Sequence, residues 1–450
     1  MRIHKLYIAL ISAAAMVASC SSEDDIVMSP KPQPQPEVQV VDPDSVPQPI
    51  LVGMGGLAVS TAVSETRGTG TVGDMTGSAR NKWQSQHVKI FMLDKGTMNP
   101  TIFPDELNKP IYKNADFWTP GKPNTETPFQ GVTDPLVGVV DSGIARPVDN
   151  RVRYYPPRGN SDFWGYRVDS CELAEPYQTD DAWKVDFKID GSQDIMVARA
   201  IPSQEDIDSL GRTAGLDADA NAVNRTRAYS GFAARHGIHP SMTFRHKLAR
   251  LTFQIRPMLD KTVDPVKGIT VDSISVASWS KGTLTIAKLN DPDGSEQNIE
   301  WDKSSDKRDT LYLKQRAQDY NATILTDSLN LVKLESLDLK GATKKQLYPI
   351  GESLLVAPDT IYRIRVHLTQ MIEKYYDDPT DLKAQDYWYD DYIKLPNNAP
   401  FLEGCSYKVN ISLYGLETIK ITTVLTGWND VDEPIELQPE DEDDVPDLEP

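Results

Sequence analysis

Cysteine is almost absent from this chain, with three in 450 residues: Cys20, Cys171 and Cys405. That excludes a scaffold stapled by several disulfides. One Cys171 to Cys405 bridge stays open in an oxidising compartment, and two buried thiols is the favoured reading. Histidine is scarce as well, six in all, which leaves little material for a metal or acid–base centre. Positive charge ends at Lys420, while Glu440 to Asp444 is an unbroken acidic block that should be self-repelling. The formal net charge of -19 excludes nucleic acid as a partner, because phosphate binding needs a basic footprint. The same charge repels anionic headgroups, so contact with a membrane must rest on an anchor. Beyond the N-terminus no apolar run is long enough to cross a bilayer as a helix. What is present, 39% hydrophobic residues in 450, is ample for two or three domains with proper cores.

Residues 1–20 read as an export signal. Arg2, His4 and Lys5 give the positive end, Leu6 to Val17 the apolar core, and small residues lead up to Cys20. Val17-Ala18-Ser19-Cys20 resembles a bacterial lipoprotein box, with cleavage between Ser19 and Cys20 and lipid attached to Cys20. Ser21-Ser22-Glu23-Asp24-Asp25 resembles the acidic tag that sends some lipoproteins to the outer face of the outer membrane. Pro30, Pro32, Pro34, Pro36, Pro43, Pro47 and Pro49 then remove backbone donors and favour polyproline II. Residues 21–49 are therefore a semi-rigid tether or a disordered leader.

From residue 50 the pattern is that of short strands between Gly, Pro, Asn and Asp. Leu57 to Val63, Val88 to Leu93, Val152 to Tyr155, Asp162 to Val168, Val185 to Ile189 and Ile195 to Ala200 are candidate strands in a first region, 50–235. Ser203 to Pro240 lacks periodicity and suits a linker, with a short helix opened by Ser203 and Glu205. In a second region, 241–433, Tyr362, Ile364, Val366 and Leu368 alternate with polar residues. Tyr407, Val409, Ile411 and Leu413 alternate too and return through Ile419 and Ile421 as a hairpin. Ile274 and Val276 with Leu284 and Ile286 suggest another hairpin. Residues 434–450 form an acidic tail.

The stretch Met242 to Arg256, MTFRHKLARLTFQIR, lies near the middle. Leu251, Phe253 and Ile255 occupy odd positions, whereas Met242, Phe244 and Leu248 occupy even ones, so the phase slips once near Ala249. A bulge or one helical turn would absorb the slip, with His246 pinning it by hydrogen bonds. FRHKLARLTFQI, together with FWGYRVD (Phe163 to Asp169), DIMVA (Asp194 to Ala198) and TGW (Thr426 to Trp428), resembles in order the motifs of fimbrillin-like proteins, the subunits and accessory proteins of type V pili. The likeness covers about residues 50 to 430. It implies an all-β chain of two tandem antiparallel Greek-key, transthyretin-like β-sandwich domains. It also implies that Arg67, or Arg80, is a protease site whose cutting frees the strand Ile50 to Val63 for strand exchange; an uncut surface arginine is the other reading. Polymerising subunits of that family end in an apolar strand. Here only Ile435 and Leu437, between Pro434 and Pro439, could serve, which favours an accessory, tip or anchor component.

Enzymatic motifs are incomplete. Gly138 to Ile144, GVVDSGI, resembles the aspartate motif of subtilisin-like proteases around Asp141, and His236 to His239 the start of their histidine motif. The triad also needs a serine nucleophile, and no Gly-Thr-Ser-Met-Ala segment follows. The glycine-rich TRGTGTVGDMTG lacks a phosphate-binding lysine. His236, His239 and His246 match no zinc spacing. Asp291, Asp293 and Glu300 partly fit a calcium loop, but Leu289 sits where its first ligand belongs and a turn explains the sequence. No metal or cofactor is expected. Tyr375, Tyr376, Tyr387, Trp388, Tyr389 and Tyr392 lie among aspartates that include Asp377, Asp378, Asp386, Asp390 and Asp391, a pattern that suits a contact surface for a host protein or glycan or a long hairpin packing its own aromatics. Tyr387, Trp388, Tyr389 and Tyr392 are the candidate ligand contacts.

Together these readings describe a non-catalytic lipoprotein, lipid-anchored in the outer membrane at Cys20 and exposed on the surface. It would be a fimbrial structural, tip or anchor component whose partners are other pilus subunits. A monomeric glycan-binding surface lipoprotein is the alternative, and a subtilisin-like protease a remote one.

Overall fold

The computed structural model describes residues 47–54, 87–96, 110–118, 144–147, 153–156, 160–168, 172–214, 229–288, 297–305, 307–316, 331–375, 378–416 and 418–426. Among them the first strands are β1 (Val52–Met54), β2 (His87–Gly96), β3 (Pro110–Trp118), β4 (Ile144–Pro147) and β5 (Asn160–Val168). Then come β6 (Glu172–Leu173), β7 (Tyr177–Gln178), β8 (Ala182–Lys188) and β9 (Ile195–Arg199), followed by helices α1 (Gln204–Ala214) and α2 (Gly231–Arg235). The chain continues with β10 (Ser241–Met242), β11 (Arg245–His246), β12 (Ala249–Pro257), the short helix α3 (Asp260–Val263), β13 (Ile269–Ser278), β14 (Lys281–Lys288) and β15 (Ile299–Trp301). Last are β16 (Asp309–Tyr312), β17 (Lys314–Arg316), β18 (Leu331–Lys333), β19 (Leu337–Asp338), β20 (Tyr348–Val356), β21 (Ile361–Tyr375), β22 (Asp378–Lys394), β23 (Ser406–Leu413) and β24 (Ile419–Thr426). The fold is all-β, in several mainly antiparallel sheets.

Two layered cores account for this. An eight-stranded sheet, order β10-β1-β4-β3-β2-β5-β9-β11, packs on a five-stranded sheet of β15, β14, β8, β6 and β7. Phe91, Trp164, Tyr166 and Val197 from the first meet Trp183, Val185, Phe187, Leu284 and Ile286 from the second. The eight-stranded sheet buries its other face as well, where Val88, Ile90, Phe163, Met196, Met242 and Phe244 cluster with Tyr155, Tyr229 and Ala234. With both faces covered, every residue of β5 up to Arg167 is buried and the polar/apolar alternation disappears.

The second sandwich sets β20-β12-β23-β24 against β16-β13-β21-β22, with β19 also on β13. Its core joins Leu251, Phe253, Ile255, Val409 and Ile411 to Ile274, Val276, Tyr362, Ile364 and Val366. The strict alternation of β12 is matched by strict alternation of burial along it. The expected hairpin of β23 and β24 is present, in register from Ser406↔Thr426 to Leu413↔Ile419.

Three expectations change. The residues around Ile274 and Leu284 do not form a hairpin: β13 stays in the second sandwich, while β14 crosses over and pairs with β8. The crossing is driven by burial, since Leu284 and Ile286 fill the first core beside Trp183 and Phe187. The phase slip near Ala249 marks a change of sheet, with β11 paired to β9 and β12 paired to β20 and β23. The bulge lies further on, between Leu251 and Phe253 against β20. Val152 to Tyr155 gives only an isolated bridge, Pro49↔Tyr154. Strand pairing therefore runs on across residues 235–241, and the chain from Pro47 onward is one compact unit.

Ser203 opens α1 as expected. Its partner is Asp206 rather than Glu205: the Ser203 hydroxyl donates to Asp206 Oδ2 over 2.7 Å, and the Asp206 amide donates back to Ser203 Oγ over 3.1 Å. Leu57 to Val63, Gly138 to Gly143, Trp428 and the acidic tail lie outside the described residues.

Candidate functional site

Three of the four motif segments come together. β5 carries FWGYRV, β9 carries IMVA and β11 carries the Arg-His of FRHKL, and these are successive neighbours at one edge of the eight-stranded sheet. Gly165 is the close-approach point: a Cβ there would lie 2.9 Å from both Met242 Sδ and Phe244 Cζ. Glycine in the first motif therefore makes room for the apolar residues of the third. His246 is buried, and its Nδ1 lies 2.6 Å from Oδ2 of Asp194, itself fully buried. A carboxylate only accepts, so the imidazole is the donor. Beside them Arg199 packs over the Trp164 ring at 4.3 Å and reaches Asp162 at 3.5 Å. This is a structural lock between strands, and it gives His246 a role without substrate. Asp194 was legible only as part of a motif; its pairing with His246, 52 residues on, was not.

The aromatic segment is organised by strand alternation. It is not an insert: β22 pairs with β21 from Ile361↔Lys394 down to Tyr375↔Asp378. Tyr362, Ile364, Val366 and Leu368 face the core. Tyr387, Tyr389 and Ile393 stand opposite Leu368, Val366 and Tyr362 and share that face, whereas Trp388, Asp390 and Tyr392 point outward. The four candidate contacts thus divide two and two. Tyr389 packs on the core and donates to the Ile419 carbonyl over 3.2 Å; burial, then the nearby Asp391, pushes its pKa up.

On the outer face Asp390 is held by Arg363 at 3.2 Å and Arg365 at 3.0 Å. Trp388 stacks on His367 at 4.3 Å with planes 14° apart, and Arg365 lies 5.0 Å from its ring centre. Register carries the row on through Ser275 to Tyr312 of β16. Trp388, Tyr392 and Tyr312 remain 44%, 52% and 55% exposed, so the face offers aromatic area flanked by paired charges. Below it Thr369 Oγ1 lies 2.6 Å from Asp272 and 2.8 Å from Asp386. Sequence reading missed Arg365, His367 and Tyr312 because their place on the face of Trp388 depends on the register of four strands.

Among the described residues the other candidates are not assembled into a centre. His236 is exposed, with Nδ1 2.8 Å from the Phe232 carbonyl. Burial lowers the pKa of His239. Among the described residues no group of three or more His, Cys, Asp or Glu side chains could hold a metal. Glu300 reaches Lys184 at 3.6 Å, and Cys405 is a buried thiol. Ser19, Cys20, Arg67, Arg80, Asp141, Cys171, Asp291 and Asp293 lie outside the described residues. No helix among the described residues is long and apolar enough to cross a membrane.

No family model and no curated protein matches the chain. Among solved structures it is similar to a "putative cell adhesion protein" from Bacteroides uniformis, at 11% identity and a TM-score of 0.40 over 86% of this chain and 100% of that one. A protein of the same description from Bacteroides ovatus gives 14% identity and a TM-score of 0.40 over 86% and 100%. The fimbrial anchor protein Mfa2 from Porphyromonas gingivalis gives 10% identity and a TM-score of 0.28 over 85% and 98%.

Proposed function

We propose that this chain is a non-catalytic surface lipoprotein, held in the outer membrane through Cys20, that acts in fimbrial assembly or adhesion as a tip or anchor component. The observation that carries the reading is the convergence of the FWGYRVD, DIMVA and FRHKL segments on one sheet edge, locked by Gly165 and by His246 with Asp194. Motifs that specify how strands fit together belong to a protein whose work is to be held and touched. His246, the one histidine in these three segments, is committed to that lock.

The test is cell fractionation with pilus purification. Replacing Cys20 by alanine moves the protein from membranes to the soluble fraction, and deleting the chain shortens, releases or abolishes the fibres. Membrane sedimentation unchanged by Cys20→Ala removes the anchor, and fibres unchanged by the deletion remove the fimbrial role. N-terminal mapping of the native protein decides whether Arg67 is cut.

A second reading, a monomeric glycan-binding lipoprotein, draws on the outward Trp388, Tyr392 and Tyr312. A glycan array probed with the chain and with Trp388→Ala separates the two.

A further inference from the structure

Among the described residues the second sandwich has two strand edges side by side, β22 in one sheet and β24 in the other, bridged by the Tyr389 hydroxyl on the Ile419 carbonyl. Exposed edges invite pairing with another chain, and proteins blunt them with charge, proline or bulges. β22 carries aspartates along its length. β24 has none of these devices past Lys420. It runs Ile421-Thr422-Thr423-Val424-Leu425-Thr426, without charge or proline, and its eight residues pair with β23 without a register shift. Leu425 is 42% exposed, and Thr423 Oγ1 is buried without a hydrogen-bond partner.

From this edge we infer that β24 pairs antiparallel with β24 of a second copy, joining two four-stranded sheets across a two-fold axis near Thr423. This goes beyond the fimbrial reading and does not depend on it. The strand is self-complementary in that arrangement: Ile421 falls opposite Leu425, Thr422 opposite Val424 and Lys420 opposite Thr426, so no like charges meet. The two Thr423 hydroxyls come together, and a Thr–Thr cross-strand hydrogen bond is a stabilising pair. The same manoeuvre on β22, centred on Trp388, would set Asp386 against Asp390. A closed, isologous contact results, and no open filament. A single strand pair falls short of a standard interface, so the dimer is weak, with Kd on the order of 10 to 100 µM.

Sedimentation equilibrium of residues 21–450, free of lipid, tests it up to about 500 µM, well above that Kd. A monomer–dimer equilibrium is expected, strengthened by added salt because each copy is strongly negative, at -21 once Arg2 and Lys5 are removed from a full-chain charge of -19. Thr423→Lys and Leu425→Lys each weaken it at least about tenfold, since a lysine must then be buried in the new sheet. Thr423→Cys cross-links two copies under mild oxidation, above the background of the parent chain, and Asp386→Cys does not. A chain that stays monomeric over the range, or Thr423→Lys dimerising like the parent, overturns the proposal. Should the lysine variants misfold by circular dichroism, the cross-link decides, and its absence overturns the proposal equally. Membrane release by Cys20→Ala is blind to this contact, so the two proposals fail separately.

Discussion

At the residue scale the two most constrained positions are Gly165 and His246. A Cβ at Gly165 would sit 2.9 Å from Met242 Sδ and Phe244 Cζ in a core closed on both sheet faces. Neither neighbour is the free end of an exposed side chain, so overpacking there should cost about 1–3 kcal/mol for alanine and more for valine. His246→Ala removes the imidazole that bonds the buried Asp194, and losing one partner of a buried pair should cost about 3–5 kcal/mol. Urea unfolding of both variants measures this. Asp194→Asn with His246→Gln should recover part of the loss, because an amide pair can replace the charge-assisted bond. If His246→Ala unfolds like the parent, the lock is ornamental. The glycine and the histidine were each visible as letters of a motif. Their purposes were invisible because the glycine's neighbours, Met242 and Phe244, lie 77 and 79 positions on and the histidine's partner, Asp194, lies 52 positions back.

At the element scale β21 and β22 show how far alternation alone reaches. The buried set Tyr362, Ile364, Val366 and Leu368 was legible from period two, and so was β23 with its return through β24. β22 was legible as one arm of a long hairpin packing its own aromatics, but aspartates and tyrosines mask its period, and only pairing with β21 reveals two faces of opposite character. β13 and β14 misled for the converse reason: two good strands with a short link look like a hairpin, and nothing local records that Leu284 and Ile286 belong to a different core. The faces predict opposite costs. Ile364→Ala should destabilise by about 2–5 kcal/mol, the range for truncating a buried large aliphatic residue, while Tyr392→Ala, half-exposed on the outer face, should stay within about 1 kcal/mol. Thermal melts check both, and equal effects would mean that the outer face is itself covered.

At the scale of the whole molecule the two sandwiches are tied by more than β14. Asp190, just after β8, accepts from Lys314 of β17 over 2.6 Å, a contact between residues 124 apart in sequence. Burial of this carboxyl works to raise its pKa, but the Lys314 ammonium and the Ser192 hydroxyl and amide outweigh it, and the pKa lies below the ordinary value. A depressed carboxylate contributes stability above its unfolded pKa of about 3.9, and that contribution is lost as pH falls through the folded value. The parent chain should therefore be more stable than Asp190→Asn at pH 7, by less than about 1 kcal/mol because the pair is partly exposed and screened. The difference should hold down to about pH 5 and close below about pH 3, where the carboxyl is protonated in both folded and unfolded chains. Adding salt at pH 7 should shrink it too. Paired urea titrations at several pH values read the difference directly. A gap that persists unchanged at low pH would mean that Asp190 acts through the hydrogen-bonded turn it makes with Ser192 and not through Lys314.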